Sequence, residues 1–138
     1  MDIVRIIKLK DLGDDKGSVV NLDFSELKVA EVPVFYRKAG ENPEGHFHKG
    51  TDKSVDPQYI YVLEGALEIY CKYPDGTEEV VTVHKIEGIV IPKLVYHRYK
   101  TLEKTIFCEP RVERYDSNNV DKIICGAEEY LEILSNLT

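Results

Sequence analysis

From Ile3 to about Phe107 the chain breaks into short runs rich in Val, Ile, Tyr and Thr, cut by clusters of Gly, Pro, Asp and Asn. That succession is the pattern of an all-β sandwich or barrel. Strands are expected over residues 17–24, 31–39, 58–65, 66–73, 78–84, 88–92, 95–100 and 104–110. The run Pro74-Asp75-Gly76 has the chemistry of a tight turn: proline presets φ, aspartate bonds its own backbone, and glycine accepts a positive φ. The segments flanking it should form a hairpin.

After Pro110 the character changes. Val120, Ile123, Ile124, Ala127, Leu131 and Leu134 recur at steps of three and four, which predicts a C-terminal helix over about 119–136 with Ser117, Asn118 or Asn119 as its cap. Gly126 lies inside it and costs about 1 kcal/mol relative to alanine, so a break into two pieces is expected there. The apolar face should pack on the outside of the barrel or on a second subunit.

Length argues for one domain over residues 1–138, with a β body over about 3–110. Apolar residues make up 43% of the chain, enough for a core. The 25 acidic residues outnumber the 18 basic ones, giving a formal charge of −7, and no basic block forms the positive stripe that nucleic acid requires. The N-terminus mixes charged and apolar residues, and no run approaches the roughly 20 apolar residues of a membrane span. A cytoplasmic protein is therefore expected, with neither nucleic acid nor membrane as partner. Cys71, Cys108 and Cys125 are far apart and in no CxxC arrangement, which reads as free buried thiols.

The chemistry concentrates in "GHFHKGTDKSVDPQYIYVLEG", residues 45–65. On a strand, His46 and His48 share a face while Phe47 turns away, so both imidazoles can reach one ligand. Gln58 opens an alternation in which Ile60 and Val62 share its face, so it points where core side chains point. It serves there either as an oxygen donor or as an amide satisfied by backbone groups. A third imidazole, His97, follows Pro92 by five residues on a neighbouring strand. Imidazoles with an oxygen donor suit a divalent transition metal such as iron, manganese, nickel or zinc, and four protein ligands of this kind leave open positions for catalysis. The expected metal set is His46, His48, Gln58 and His97. His84 lies beside charged residues near a turn and reads as surface.

These positions resemble the two sequence motifs of the cupin superfamily, small antiparallel jelly-roll barrels. His46, His48, Gln58 and Gly65 match the first motif, and Pro92 and His97 match the second. The resemblance spans about residues 17 to 110 and implies a cupin barrel with its site in the mouth and, as cupins often are, a homodimer. Two departures stand out. The stretch from His48 to Gln58 is longer than usual, which implies a loop over the mouth at residues 49–57, and glutamine replaces the glutamate of many metal cupins.

The opening "LGDDKGSVVNLDF" is similar to that of the TDP-4-oxo-6-deoxyhexose 3,4-ketoisomerases, a cupin branch acting on nucleotide-linked sugars. That resemblance implies a carbonyl shift by proton transfer, with His46 and His48 as acid and base and Tyr36 as a helper for substrate oxygens, unless Tyr36 is only a packing residue. Against it, Glu44 stands where that branch carries arginine. The diphosphate would then need Arg37, Lys38, Lys49 or Lys53, which otherwise are solvated loop charges. The function expected is thus a small-molecule isomerase of a carbohydrate or nucleotide sugar. A metal-dependent dioxygenase and a cupin that binds a small ligand without turnover are the alternatives.

Overall fold

The alternating segments pair into two antiparallel sheets in the computed structural model, which describes residues 1–25, 27–42 and 44–137. One sheet runs in the order β1 (Arg5–Lys8), β8 (Glu87–Ile91), β5 (Gln58–Glu64), β10 (Thr105–Cys108) and β2 (Val34–Arg37). The other runs β11 (Lys122–Ile124), β4 (His46–His48), β9 (Tyr96–Thr101), β6 (Ala66–Lys72) and β7 (Glu78–His84), with β3 (Gly40–Glu41) added on β9. Ile60, Val62, Ile89, Ile91 and Phe107 of the first sheet meet Leu67, Ile69, Cys71 and Val83 of the second in one buried cluster. The sheets therefore face each other across a shared core, each fully buried aliphatic or aromatic side chain contributing about 1.5–3 kcal/mol.

The expected hairpin joins β6 to β7. Gly76 adopts φ +89°, its N–H donates to the Tyr73 carbonyl, and Asp75 accepts from both the N–H and the hydroxyl of Thr77. Among the described residues no helix is long and apolar enough to cross a membrane.

Three expectations are corrected. Residues 17–24 form no strand; only isolated bridges, Asp11 with Val20 and Asp14 with Gly17, occur there. The Asp11 carboxylate collects the N–H groups of Gly13 and Val19 and the Ser18 hydroxyl, and such local side-chain bonds compete with a ladder. Conversely, Arg5–Lys8 does form a strand, paired with β8 from Arg5↔Val90 to Lys8↔Glu87.

The C-terminal helix is confined to α1 (Tyr130–Ser135). Residues Lys122–Ile124 instead extend along the free edge of β4, where the sheet offers them backbone partners that a marginal helix could not match. Gly126 falls between the two elements. Of the periodic apolar set, Val120 at 71% and Ile124 at 55% are exposed, while Ile123, Ala127 and Leu134 pack half-buried beside Tyr130, which is fully buried. Its ring packs on Phe47 and Tyr96, with centroids at 5.3 and 5.5 Å. The helix thus covers the outer face of β4 and β9, behind the strands that carry the histidines.

Cys71 and Cys108 are buried and Cys125 is half-buried, all as free thiols. Burial pushes Cys71 up to about 12 and Cys108 up to about 11, which leaves both inert at neutral pH. His84 is exposed at the end of β7.

Candidate active site

Alternation along β4 turns Phe47 into the packing behind the sheet and His46 and His48 to the opposite face. The register His46↔His97 on β9 then brings the third imidazole beside them. Ring centroids lie 4.5 Å apart for His46 and His97, 5.0 Å for His46 and His48, and 5.7 Å for His48 and His97. One nitrogen of each lies within 4.8 Å of the others. Gly45, just before this strand, lies so close to the Tyr96 ring that a Cβ would sit 1.7 Å from the phenolic oxygen, so a side chain there would push β4 off β9.

Each Nδ1 is engaged. His46 donates to the Glu44 carbonyl at 3.2 Å, His97 to the Val95 carbonyl at 3.0 Å and His48 to Asp121 Oδ2 at 2.8 Å. With the proton on Nδ1, every Nε2 carries a lone pair. His48 Nε2 and Gln58 Oε1 are buried without a hydrogen-bond partner in the protein. Two buried acceptors left open in one barrel are a strong sign of a ligand, because such groups are otherwise costly.

Asp121 was not legible as a site residue, since its segment reads as helix. Its Oδ1 accepts from Gly50 N at 2.8 Å, Thr51 Oγ1 at 3.0 Å and Asp52 N at 3.1 Å. The same carboxylate therefore orients His48 and closes the start of the loop at residues 49–57. Arg111 holds that loop further through Asp52 at 2.6 Å, and the Glu113 N–H donates to Ser54 Oγ at 3.1 Å. Burial pushes Asp121 up, but the bonds from Asp52, His48 and Thr51 outweigh it and hold the carboxyl below the usual range.

Burial is also the main force on the imidazoles. It lowers His46 to about 4, with repulsion from His48 adding to it, and drives fully enclosed His97 well below its ordinary value. His48 is lowered too, against the opposing pull of Asp121. All three are neutral at pH 7.

A second carboxyl enters the site. Glu109 bonds the Gln58 side chain, and although the residue is part exposed, desolvation of its carboxyl raises it to about 7 against the pull of Gln58, Arg111 and Arg37. A signal for it existed, because Thr105, Phe107 and Glu109 alternate and the first two are buried. Lys122, exposed and opposite His48 in the register, acts electrostatically on Glu109 and all three histidines.

The remaining predicted residues scatter. Gln58 is buried at the head of β5, in line with Ile60 and Val62. Tyr36 is 71% exposed, on the face of β2 opposite Phe35, whose ring stacks on Phe107; it is not brought to the histidines. Arg37 and Lys38 line a cleft of about 500 Å³ with Glu44 and Tyr99. Arg37 Nε donates to the Tyr99 hydroxyl at 3.3 Å, while Lys53 stands 3.9 Å from Glu113 and Lys49 lies in the loop that Asp121 closes.

Neither protein-family models nor curated proteins give a match to the chain. Solved structures do. A His-to-Asn variant of the 3,4-ketoisomerase QdtA from Thermoanaerobacterium thermosaccharolyticum, in complex with TDP-4-keto-6-deoxyglucose, superposes with a TM-score of 0.65 at 20% identity, over 96% of this chain and 94% of that one. A 3,4-ketoisomerase from Helicobacter canadensis gives 0.64 at 15% identity over 96% and 97%. The dTDP-4-dehydrorhamnose 3,5-epimerase of Bacillus anthracis, with TDP and PPi bound, gives 0.64 at 19% over 84% and 75%. At these identities the likeness establishes the fold, which is the cupin jelly roll with a short C-terminal helix.

Proposed function

We propose that the protein is an isomerase or epimerase of a keto sugar carried on a nucleotide diphosphate, and that His48 moves the proton. One observation carries this reading: the buried, unpartnered Nε2 of His48, with Nδ1 fixed on Asp121. A neutral imidazole so placed is a general base whose conjugate acid is stabilised by the carboxylate behind it. The ligands named for the solved structures of like fold support the substrate class.

The chemistry balances without a co-reactant. His48 takes the proton from the carbon beside the carbonyl, and the electron pair moves onto oxygen as an enediolate. Return of that proton to the former carbonyl carbon, with the neighbouring hydroxyl proton passing to the former carbonyl oxygen, shifts the carbonyl by one position. Epimerisation would instead need a second acid to protonate the original carbon from the opposite face, and that acid would regain its proton as His48 releases the one it took. His46 and His97, neutral in their enclosed positions, accept hydrogen bonds from substrate hydroxyls. Lys122 at the rim offers the positive charge that Glu44 does not.

The convergence of three nitrogens within 4.8 Å favours a second reading, a divalent metal site. The donors fit: each Nδ1 is anchored, His48 Nε2 has no partner in the protein, and Gln58 Oε1 adds an oxygen. His46, His48, His97 and Gln58 would hold iron, manganese, nickel or zinc, which would supply Lewis-acid polarisation of a substrate oxygen, or dioxygen binding in an oxygenase. Under this reading His48 is a ligand and the proton falls to another group.

The test is incubation with TDP-4-keto-6-deoxyglucose in deuterium oxide, followed by NMR, with elemental analysis of tag-free protein alongside. Deuterium beside the carbonyl and a shifted carbonyl, undiminished by chelator and reduced about 10²–10⁴-fold in His48→Asn, are expected. Near-stoichiometric metal with activity lost on chelation would replace the first reading by the second. Tight binding of TDP without exchange would leave a non-catalytic binding protein.

A further inference from the structure

The three imidazoles present lone pairs rather than protons on Nε2. The Nδ1 atoms of His46 and His97 lie on backbone carbonyls, which only accept, so the ring proton of each sits there. His48, with Nδ1 on Asp121, presents Nε2 in the same way. The Gln58 amide is different, because it carries a donor and an acceptor at equal reach and half a turn exchanges them. Its surroundings must choose which of the two faces the interior.

Glu109 makes that choice. β10 pairs with β5 as Phe107↔Val62 and Cys108↔Tyr61, and one step further the register sets Glu109 opposite buried Ile60, on the face that Ile60 shares with Gln58. Gln58 is then its diagonal neighbour, at the spacing of about 7–8 Å that two long side chains bridge. The carboxyl bonds the Gln58 side chain, and the bond favours the ionised form, so Gln58 is the donor. A carboxylate takes the NH₂ group and leaves Oε1 as the atom on offer. That oxygen is buried without a partner, on a residue only 6% exposed.

We propose that Glu109 is a positioning residue: it locks the Gln58 amide with its oxygen toward the interior, where that oxygen accepts a hydrogen bond from a hydroxyl group of the keto sugar. The identity of the hydroxyl rests on the function proposed above; the lock does not. With the amide so fixed, the imidazoles and Gln58 together offer four acceptors, three Nε2 atoms and one Oε1. They take a sugar by its hydroxyl hydrogens, and a carbonyl or phosphate oxygen finds no donor among them. A Gln58 turned the other way would put a donor among the lone pairs and lose one hydroxyl contact.

Glu109→Leu removes the acceptor and frees the amide to turn, whereas Glu109→Gln keeps a carbonyl that can accept. At pH 8, where the carboxyl is ionised, the KM for TDP-4-keto-6-deoxyglucose should rise about tenfold in Glu109→Leu with kcat nearly unchanged, and Glu109→Gln should restore most of the loss. The Kd for TDP, which carries no keto sugar, should not move. The side-chain ¹H–¹⁵N signals of Gln58, assigned by their loss in Gln58→Glu, should be shifted and slow to exchange in the wild type and lose both properties in Glu109→Leu. Gln58 signals indifferent to Glu109→Leu, or a fall in kcat without the rise in KM, would overturn the positioning role. A wild type inert to the keto sugar would overturn the proposed function instead, and the amide signals would still decide the lock. If Glu109→Leu fails to fold, Glu109→Met takes its place in each measurement.

Discussion

His48 Nδ1 donates to one oxygen of Asp121 while the other oxygen of that carboxylate accepts from Gly50, Thr51 and Asp52. A single buried side chain thus fixes both the tautomer of the proposed base and the loop beside it. Asp121→Asn separates the two roles. The amide oxygen can still accept from the loop, but its NH₂ group faces Nδ1 and forces the proton onto Nε2, removing the lone pair. Turnover should fall about 10²–10⁴-fold with little change in KM or melting temperature. ¹⁵N shifts of the imidazole should report the tautomer change. Asp121→Ala should in addition lose about 1–3 kcal/mol, since the loop donors lose their acceptor.

Glu109 and His46 pull stability in opposite directions as pH changes. The Glu109 carboxyl rises from an ordinary 4.5 to about 7, so the folded protein binds a proton that the unfolded chain has released. Its contribution is present below pH 4.5 and lost as pH rises toward 7, a penalty of roughly 3 kcal/mol above that point. Glu109→Gln abolishes the titration and keeps an amide for Gln58. The variant should gain on the wild type from about pH 5 to pH 7 and hold that gain above it in urea melts, and parallel curves would show that the carboxyl does not titrate there.

His46 behaves oppositely. Its value falls from 6.5 to about 4, so stability is full above pH 6.5 and lost as pH drops toward 4, by roughly 3 kcal/mol. His46→Ala should flatten the acid limb of the stability profile. Because neither side chain belongs to the apolar clusters of the core, the variant should stay soluble and folded at pH 7.5, and so should His97→Ala. Either should abolish any metal that copurifies with the wild type. Loss of soluble protein in both would mean that the histidines hold the fold rather than a ligand.

The residues that could be read from sequence are those whose role follows from local spacing. His46 and His48 share a face because strands alternate, Gln58 points inward with Ile60 and Val62, and the Pro74–Gly76 turn fixes its hairpin. Asp121 could not be read, because its meaning depends on a non-local pairing: β11 lies against β4, seventy-odd residues earlier, and only that ladder brings the carboxylate to His48. The same pairing defeated the helix expected over 119–136, whose apolar period was real but whose backbone was claimed by a sheet edge. Tyr36 failed for the reverse reason. Its strand was right, but the alternation set by Phe35, stacked on Phe107, turns it to solvent.

Tyr130 extends this dependence on distant contacts to the back of the site. Its ring is fully buried against Phe47, the residue between His46 and His48, and its hydroxyl donates to the Leu94 carbonyl. Leu94 N in turn donates to the His48 carbonyl at 2.8 Å, from a backbone held at φ +68°. A positive φ at leucine costs about 1–2 kcal/mol and persists only while its surroundings enforce it. Tyr130→Phe keeps the ring and loses one hydrogen bond, so it should cost about 1 kcal/mol. Tyr130→Ala empties the space behind Phe47 and should cost about 3–5 kcal/mol. If the helix positions the histidines through this chain, Tyr130→Phe should already shift the His48 imidazole resonances at full folding. Unchanged resonances would confine Tyr130 to a purely structural role.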